Sequence, residues 1–421
     1  MGLRAPVGAM IAIALAVAAC SGTGTGTGIG TATTASTEVT RTSDVPNATT
    51  TAPNTTTTAP PAAPGRLVVI DGSGDVVTMR PDGSDLRRLT DDGGVVEYRQ
   101  PLWSPSDRRL LWSETTAAGF ALVLFDQGSV ISIPMPALPF FSMWAPDGTR
   151  IGVLHAAAGG GLELEIVDAS KATTDVVATG APFYFSWSPD GSQIVSHVGA
   201  ASLSVLGADG VTVLGETAGD FQTPSWTAAG ILQIADGALS VQRPDGDLVR
   251  IATVVGPTTI VAGPLGERIA VQVFGPEDPG IFAALGPIPE IPPNAVVVID
   301  PGTGRIEVAS SRPSFGFFWS PDGTSLLILV AGDREGEVEW WVWRYGEIIT
   351  RVAFIPTASL VREFLPFFDQ YAQAWRPWAP DSSAFAFVGT IGGMTGVRVQ
   401  NLDDGEPLFL TEGEWVAWSA G

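Results

Sequence analysis

The sequence predicts an all-β chain folded as a β-propeller, with eight four-stranded blades closed by pairing the N- and C-terminal strands. Two observations predict it. A tryptophan followed by a tight turn recurs along the chain, as in Trp319-Ser-Pro-Asp-Gly323. Most of the steps between these units are about 40 residues, the length of one four-stranded blade. A third observation agrees: short apolar or alternating runs, separated by Gly, Asp and Pro, fill the chain from Arg66 onward, and hardly any segment has helical spacing. A β-sandwich also yields many short strands, but it does not repeat a Trp-turn unit at this period.

The unit has a physical logic. Pro321 presets φ for the turn, Asp322 can bond the backbone two residues on, and Gly323 accepts a positive φ without a Cβ clash. Trp319 supplies a large apolar anchor just before the turn, and Leu326-Leu-Ile328 continues as the next strand. The structural repeat residues are Trp103, Trp144, Trp187, Trp226, Trp319, Trp378 and Trp418, with Ala262 in a degenerate copy.

Residues 1–19 read as a leader. Arg4 precedes a short apolar run from Val7 to Ala19, too short for a permanent membrane span. It ends in Val17-Ala18-Ala19-Cys20, around the only cysteine, and this resembles the lipobox of bacterial lipoproteins. The resemblance implies acylation of Cys20 and cleavage before it; the alternative is an ordinary secretory signal with a chance cysteine. The following segment, to residue 65, is Gly, Thr, Ala and Pro with almost no large apolar side chains. Such a composition buries too little surface to offset ordering entropy and reads as a disordered tether. The propeller is expected over 66–421.

Within it, Arg66–Asp71, Asp75–Arg80 and Asp85–Thr90 read as three strands before the first corner. After Trp418 the chain has room only to finish an innermost strand. One C-terminal and three N-terminal strands complete a blade and remove the open edge. Seven blades is the alternative, if a degenerate corner has lost its blade. Two long steps carry inserts, Gly275–Asn294 and 357–373. In the second, Leu360, Val361, Phe364, Leu365 and Phe368 have helical spacing, and Pro366 breaks a short helix near Leu365.

The corner motif, together with Arg80-Pro-Asp-Gly-Ser-Asp-Leu-Arg-Arg-Leu-Thr90, resembles the TolB-type, WD-repeat-like β-propeller family over 66–421. The resemblance implies a periplasmic or extracytoplasmic binding scaffold and carries over no catalytic set. The sequence shows no counterpart of TolB's separate α/β domain.

Charge narrows the partners. The formal net charge is −22, and the charges of the leader and tether cancel, so the acidity belongs to the folded part. Phosphate binding needs a basic surface, so nucleic acid is not an expected partner. One cysteine excludes an intrachain disulfide framework, and His155 and His197 leave little for a His-based metal site. No Gly-x-Ser-x-Gly elbow is present. The expectation is therefore no enzyme, no catalytic residue, no metal and no cofactor.

The candidate binding residues are aromatics three or four positions before the corners, Phe140, Phe183, Tyr184, Phe315 and Trp375, with Phe367, Phe368, Asp369, Gln370 and Tyr371 of the insert. The repeat brings them to one mouth of the ring. Two readings stand for the corner aromatics, packing between neighbouring blades or an aromatic mouth that receives a ligand. Two also stand for the insert, a plain plug or a binding element. The leading expectation is a monomeric, lipid-anchored propeller that binds a protein or peptide of the cell envelope without catalysis. The alternatives are a hydrolase or lyase acting on envelope glycan or peptide, and a purely structural accessory subunit.

Overall fold

The computed structural model describes residues 63–106, 109–199, 203–207, 210–214, 222–244, 246–254, 258–273, 281–283, 294–403 and 405–420. The leader, Cys20, nearly all of the tether and most of the Gly275–Asn294 insert lie outside them. The chain from Ala62 to Gly421 forms one compact unit.

Eight antiparallel blades form the ring. In sequence order they span 97–135 (blade 1), 141–180 (blade 2), 183–213 (blade 3), 225–254 (blade 4), 258–310 (blade 5), 314–354 (blade 6) and 378–411 (blade 7). Blade 8 is split between the chain ends. Leu67–Asp71 pairs with Val76–Met79 on one side and with Gly413–Trp418 on the other, in the register Leu67↔Trp418, Val69↔Val416 and Ile70↔Trp415. All five residues of Leu67–Asp71 are buried. The third N-terminal strand is shorter than expected, Arg87–Arg88 only. Ala262, at the degenerate corner, still heads a complete blade, so the ring keeps eight.

The corners form as their residue types dictate. The backbone N–H groups of Gly191, Gly266, Gly323 and Ser382 donate to the carbonyls of Ser188, Gly263, Ser320 and Ala379, at 2.8–2.9 Å. Gly191 and Gly323 take φ of +71° and +67°. Ser320 Oγ donates to Asp322 Oδ1 at 2.6 Å, and the N–H groups of Thr324 and Ser325 donate back to Asp322 Oδ1 and Ser320 Oγ at 2.9 Å each. The Trp anchors do more than fill space. The indole N–H groups of Trp187, Trp319 and Trp378 donate to the carbonyls of Met143, Val261 and Phe318 at 3.3, 3.0 and 3.1 Å, each on the inner strand of the preceding blade.

A second repeated device was not read from the sequence. The guanidinium groups of Arg109, Arg150 and Arg268 lie 5.1, 5.4 and 5.7 Å over the rings of Trp144, Trp187 and Trp319, each one blade on. Arg109 and Arg150 also bond the turn carbonyls of Gly148 and Gly191. Arg109 and Arg150 thus tie one blade to the next corner through face and fork, and Arg268 through its face.

Two sheets depart from four strands. Ile281–Ala283, inside the first insert, adds a fifth strand to blade 4 beside Leu248–Val254. Blade 7 has three full strands, and its innermost position is reduced to the single bridge Trp378↔Phe385. The 357–373 insert runs directly into that position and spends its length in the channel instead. His155 and His197 lie within strands and are fully buried.

Candidate functional site

The insert plugs the channel. It makes one π-helical turn (Leu360–Phe364), a 3-10 turn (Leu365–Phe367) and one α-turn (Phe368–Tyr371), broken where Pro366 removes a backbone donor. Phe364, Phe368 and Tyr371 face inward. Phe364 stacks on Tyr371 at 4.5 Å and meets Trp375 edge-on at 4.9 Å. Phe317 packs on Phe368 at 5.0 Å, Phe141 on Tyr371 at 5.2 Å and Phe318 on Trp375 at 5.0 Å.

Polar groups fix the plug in register. Gln370 Oε1 accepts from the Phe185 N–H and its Nε2 donates to the Phe185 carbonyl, both at 2.9 Å, so a side chain serves as a missing strand neighbour. Tyr371 donates its hydroxyl proton to the Phe140 carbonyl at 2.9 Å, and Gln100 Nε2 donates to the same carbonyl at 2.6 Å. Trp375 Nε1 donates to the Val416 carbonyl at 2.7 Å. Burial pushes the Tyr371 phenol well above its usual range.

The predicted residues therefore divide. Phe183, Phe368, Gln370, Tyr371 and Trp375 are 2–9% exposed. They are packing inside the plug and between blades, because rings drawn to one axis from several blades bury one another. Phe315, Tyr184 and Asp369 are half-buried. Only Phe140 and Phe367, at 37% and 49%, present open surface.

The plug leaves a cavity on each side of itself. On the entry face a cleft of about 930 Å3 opens between the insert, blade 1, blade 7 and split blade 8. Its apolar lining includes Val95, Val96, Leu360, Phe364, Met394 and Trp415, and Val95 is 88% exposed. Asp71, Glu97, Glu363, Glu412 and Glu414 supply carboxylates, against Arg99. Arg99 bridges Glu363 at 2.6 Å and Glu97 at 2.5 Å, which joins blade 1 to the insert. The cleft is therefore acidic with an apolar floor. Sequence reasoning missed Arg99, Glu363, Met394 and Glu414. The Gly93-Gly94-Val95-Val96 run, apolar side chains directly after a flexible turn, was the available signal.

On the opposite face the corner turns surround a funnel of about 580 Å3. Trp187, Trp226, Trp319 and Trp378 wall it, exposed Pro146, Pro189, Pro264 and Pro321 rim it, and Asp369 and Gln373 lie at its floor. The Asp369 carboxylate accepts the Gln370 N–H at 3.0 Å. Burial raises its pKa above the ordinary 3.8, opposed by the nearby Thr223 hydroxyl and the Gln370 N–H. Tyr184 is raised too, first by burial and then by the charge of Asp369.

No protein-family model matches the chain, and no curated protein matches it. Solved structures match its architecture. A eukaryotic initiation factor aligns with a TM-score of 0.55 at 11% identity, over 84% of this chain and 98% of that one. A prolyl endopeptidase structure aligns at 0.50 and 12% identity, over 77% of this chain and 50% of that one, so this chain spans half its length. TolB from Acinetobacter baumannii aligns at 0.40 and 15% identity, over 70% of this chain and 65% of that one. At these identities the likeness shows the fold alone, a β-propeller. The comparison also corrects one expectation. The prolyl endopeptidase shares this architecture, so the expectation of no enzyme does not stand.

Proposed function

We propose that this chain is an extracytoplasmic propeller that binds a protein or peptide partner at the cell envelope through the entry-face cleft. Cys20 carries the lipid, residues 1–19 are removed, and the segment from residue 20 to residue 65 tethers the propeller to the membrane. The observation that carries the binding reading is the cleft itself. Five carboxylates and one arginine surround an apolar floor that includes the exposed Val95 and Met394. Apolar area at the centre with charge at the rim is how protein interfaces are built, and the sign selects a partner segment that is basic and apolar. Phe140 and Phe367 add open aromatic surface outside the cleft lining.

The test is capture of partners from envelope extract on the full-length protein, with Glu97→Lys/Glu414→Lys as the comparison. Both side chains are exposed, so the fold should persist, and loss of the Glu97–Arg99 pair should cost no more than about 1 kcal/mol. The expected result is salt-sensitive capture by wild type, competition by a synthetic Lys/Leu peptide, and loss of capture in the variant. Equal capture by both proteins places the partner elsewhere.

A further inference from the structure

The funnel on the corner side has the composition of a small-molecule site. Its volume, about 580 Å3, lies in the range of ligand pockets. Its walls are four indoles from four different corners, Trp187, Trp226, Trp319 and Trp378, of which Trp226 and Trp319 remain half-exposed. Aromatic faces attract cations through the ring quadrupole, most strongly where water is excluded. At the floor sits one carboxylate, Asp369, placed there by the α-turn of the plug.

Asp369 is unusual among the acidic side chains of this chain. Other carboxylates set into the fold have an arginine beside them: Asp71 and Asp75 share Arg88, and Glu339 has Arg312, while Glu165 hydrogen-bonds His155. Among the described residues Asp369 receives only hydrogen bonding, and no arginine or lysine helps to hold it charged. Arg376, which lines the same cavity, is engaged in an interaction of its own. A carboxylate at the bottom of an aromatic funnel without a counter-ion costs stability, and an incoming cation removes that cost.

We propose that the corner-side funnel is a binding site for a small alkylammonium ligand, with Asp369 as the counter-charge and the tryptophans, Trp226 and Trp319 foremost, as the wall. The ammonium group descends to the plug while its alkyl groups lie against the indoles. This site lies across the plug from the entry-face cleft and does not depend on a partner binding there. The plug, which closes the channel to passage, supplies the recognition group on its far side.

The experiment titrates the purified full-length protein with choline and, separately, with 3,3-dimethyl-1-butanol, its uncharged isostere. Tryptophan fluorescence and calorimetry read the binding. Wild type should show saturable quenching by choline, with affinity for the isostere weaker by at least about tenfold, the scale of one charge-assisted contact. Asp369→Asn should lose most of that preference, leaving only the part the indoles supply. Trp226→Leu, which leaves the plug intact, should weaken choline several-fold and serves if Asp369→Asn fails to fold. Absence of saturable choline binding to wild type overturns the proposal. So does equal affinity for choline and its isostere, or an Asp369→Asn protein that keeps the wild-type preference.

Discussion

At the scale of single residues, the plug holds by a few polar contacts placed among rings. Gln370 replaces a strand neighbour for Phe185, and both of its amide atoms are used at 2.9 Å. Gln370→Ala leaves a buried N–H and a buried C=O without partners, and each orphan costs roughly 1–3 kcal/mol. Urea denaturation should show a loss of about 2–4 kcal/mol, more than a typical point substitution. Asp369 makes the opposite prediction. Its folded pKa is raised above 3.8 by burial, so the folded chain holds this proton to higher pH than the unfolded chain does. The contribution of this group to stability therefore falls as pH rises from about 4 through the folded value and stays lost above it. Tyr184 faces the same carboxylate and stays neutral through that window. Asp369→Asn should remove the fall, giving a melting temperature at or above wild type at pH 7 and a smaller difference near pH 4. A variant that melts lower than wild type at pH 7 means that the carboxylate is a net stabiliser. Trp319→Phe loses the indole bond to Val261 and weakens the Arg268 contact, and should cost about 1–2 kcal/mol in the same measurement.

At the scale of elements, the insert occupies the axis that its blade leaves open. Blade 7 has one bridge where the others have an inner strand, and the insert answers with aromatic packing against blades 2, 6 and 8. Phe364 is the centre of this packing, within ring contact of Phe318, Tyr371, Trp375 and Trp415. Phe364→Ala should cost about 3–5 kcal/mol, the range for truncating a buried Phe, whereas Phe367→Ala, at 49% exposed, should leave the melting temperature nearly unchanged. Corners and blades were legible in the sequence because each is set locally, by a proline, an aspartate and a glycine within five residues. The break at Pro366 was legible for the same reason. The two cavities were not. A cavity depends on which side chains from distant blades fail to meet, and no local pattern records that. The aromatic positions before the corners were read as converging; of them Trp375 meets Phe318 and the plug's Phe364. That Phe183 and Trp375 are buried while Tyr184 and Phe315 are half-covered is something alternation along a strand cannot show. The arginine that grips the next corner was visible in principle, since Arg150 follows Asp147-Gly148 at a fixed offset, but its target lies one blade away.

At the scale of the whole molecule, one strand closes the ring. Trp418 is fully buried against Leu67, and Ser419 Oγ accepts the N–H of Arg66, 353 residues away in sequence. Removing 413–421 bares one edge of a five-residue strand that is buried throughout. The truncated chain should lose far more than the roughly 1 kcal/mol of an average substitution and should aggregate, read by light scattering on heating. A truncated chain that melts like wild type shows that blade 8 does not hold the ring. The proposed anchor has its own test at this scale. Cys20→Ala should abolish labelling by a fatty-acid analogue and release the protein from membranes, and label that persists on the variant removes the lipid from Cys20. The split blade also sets an order of events. A chain made from its N-terminus presents Leu67–Asp71 among the first strands and Gly413–Trp418 last, so the first strands wait for a partner while seven blades are synthesised. During that interval any holding factor that recognises a bare, apolar strand edge has a substrate, and the interval ends in a single step when the last strand zips in. Proteolytic resistance of nascent chains arrested at successive lengths should therefore rise abruptly only after residue 418 has emerged.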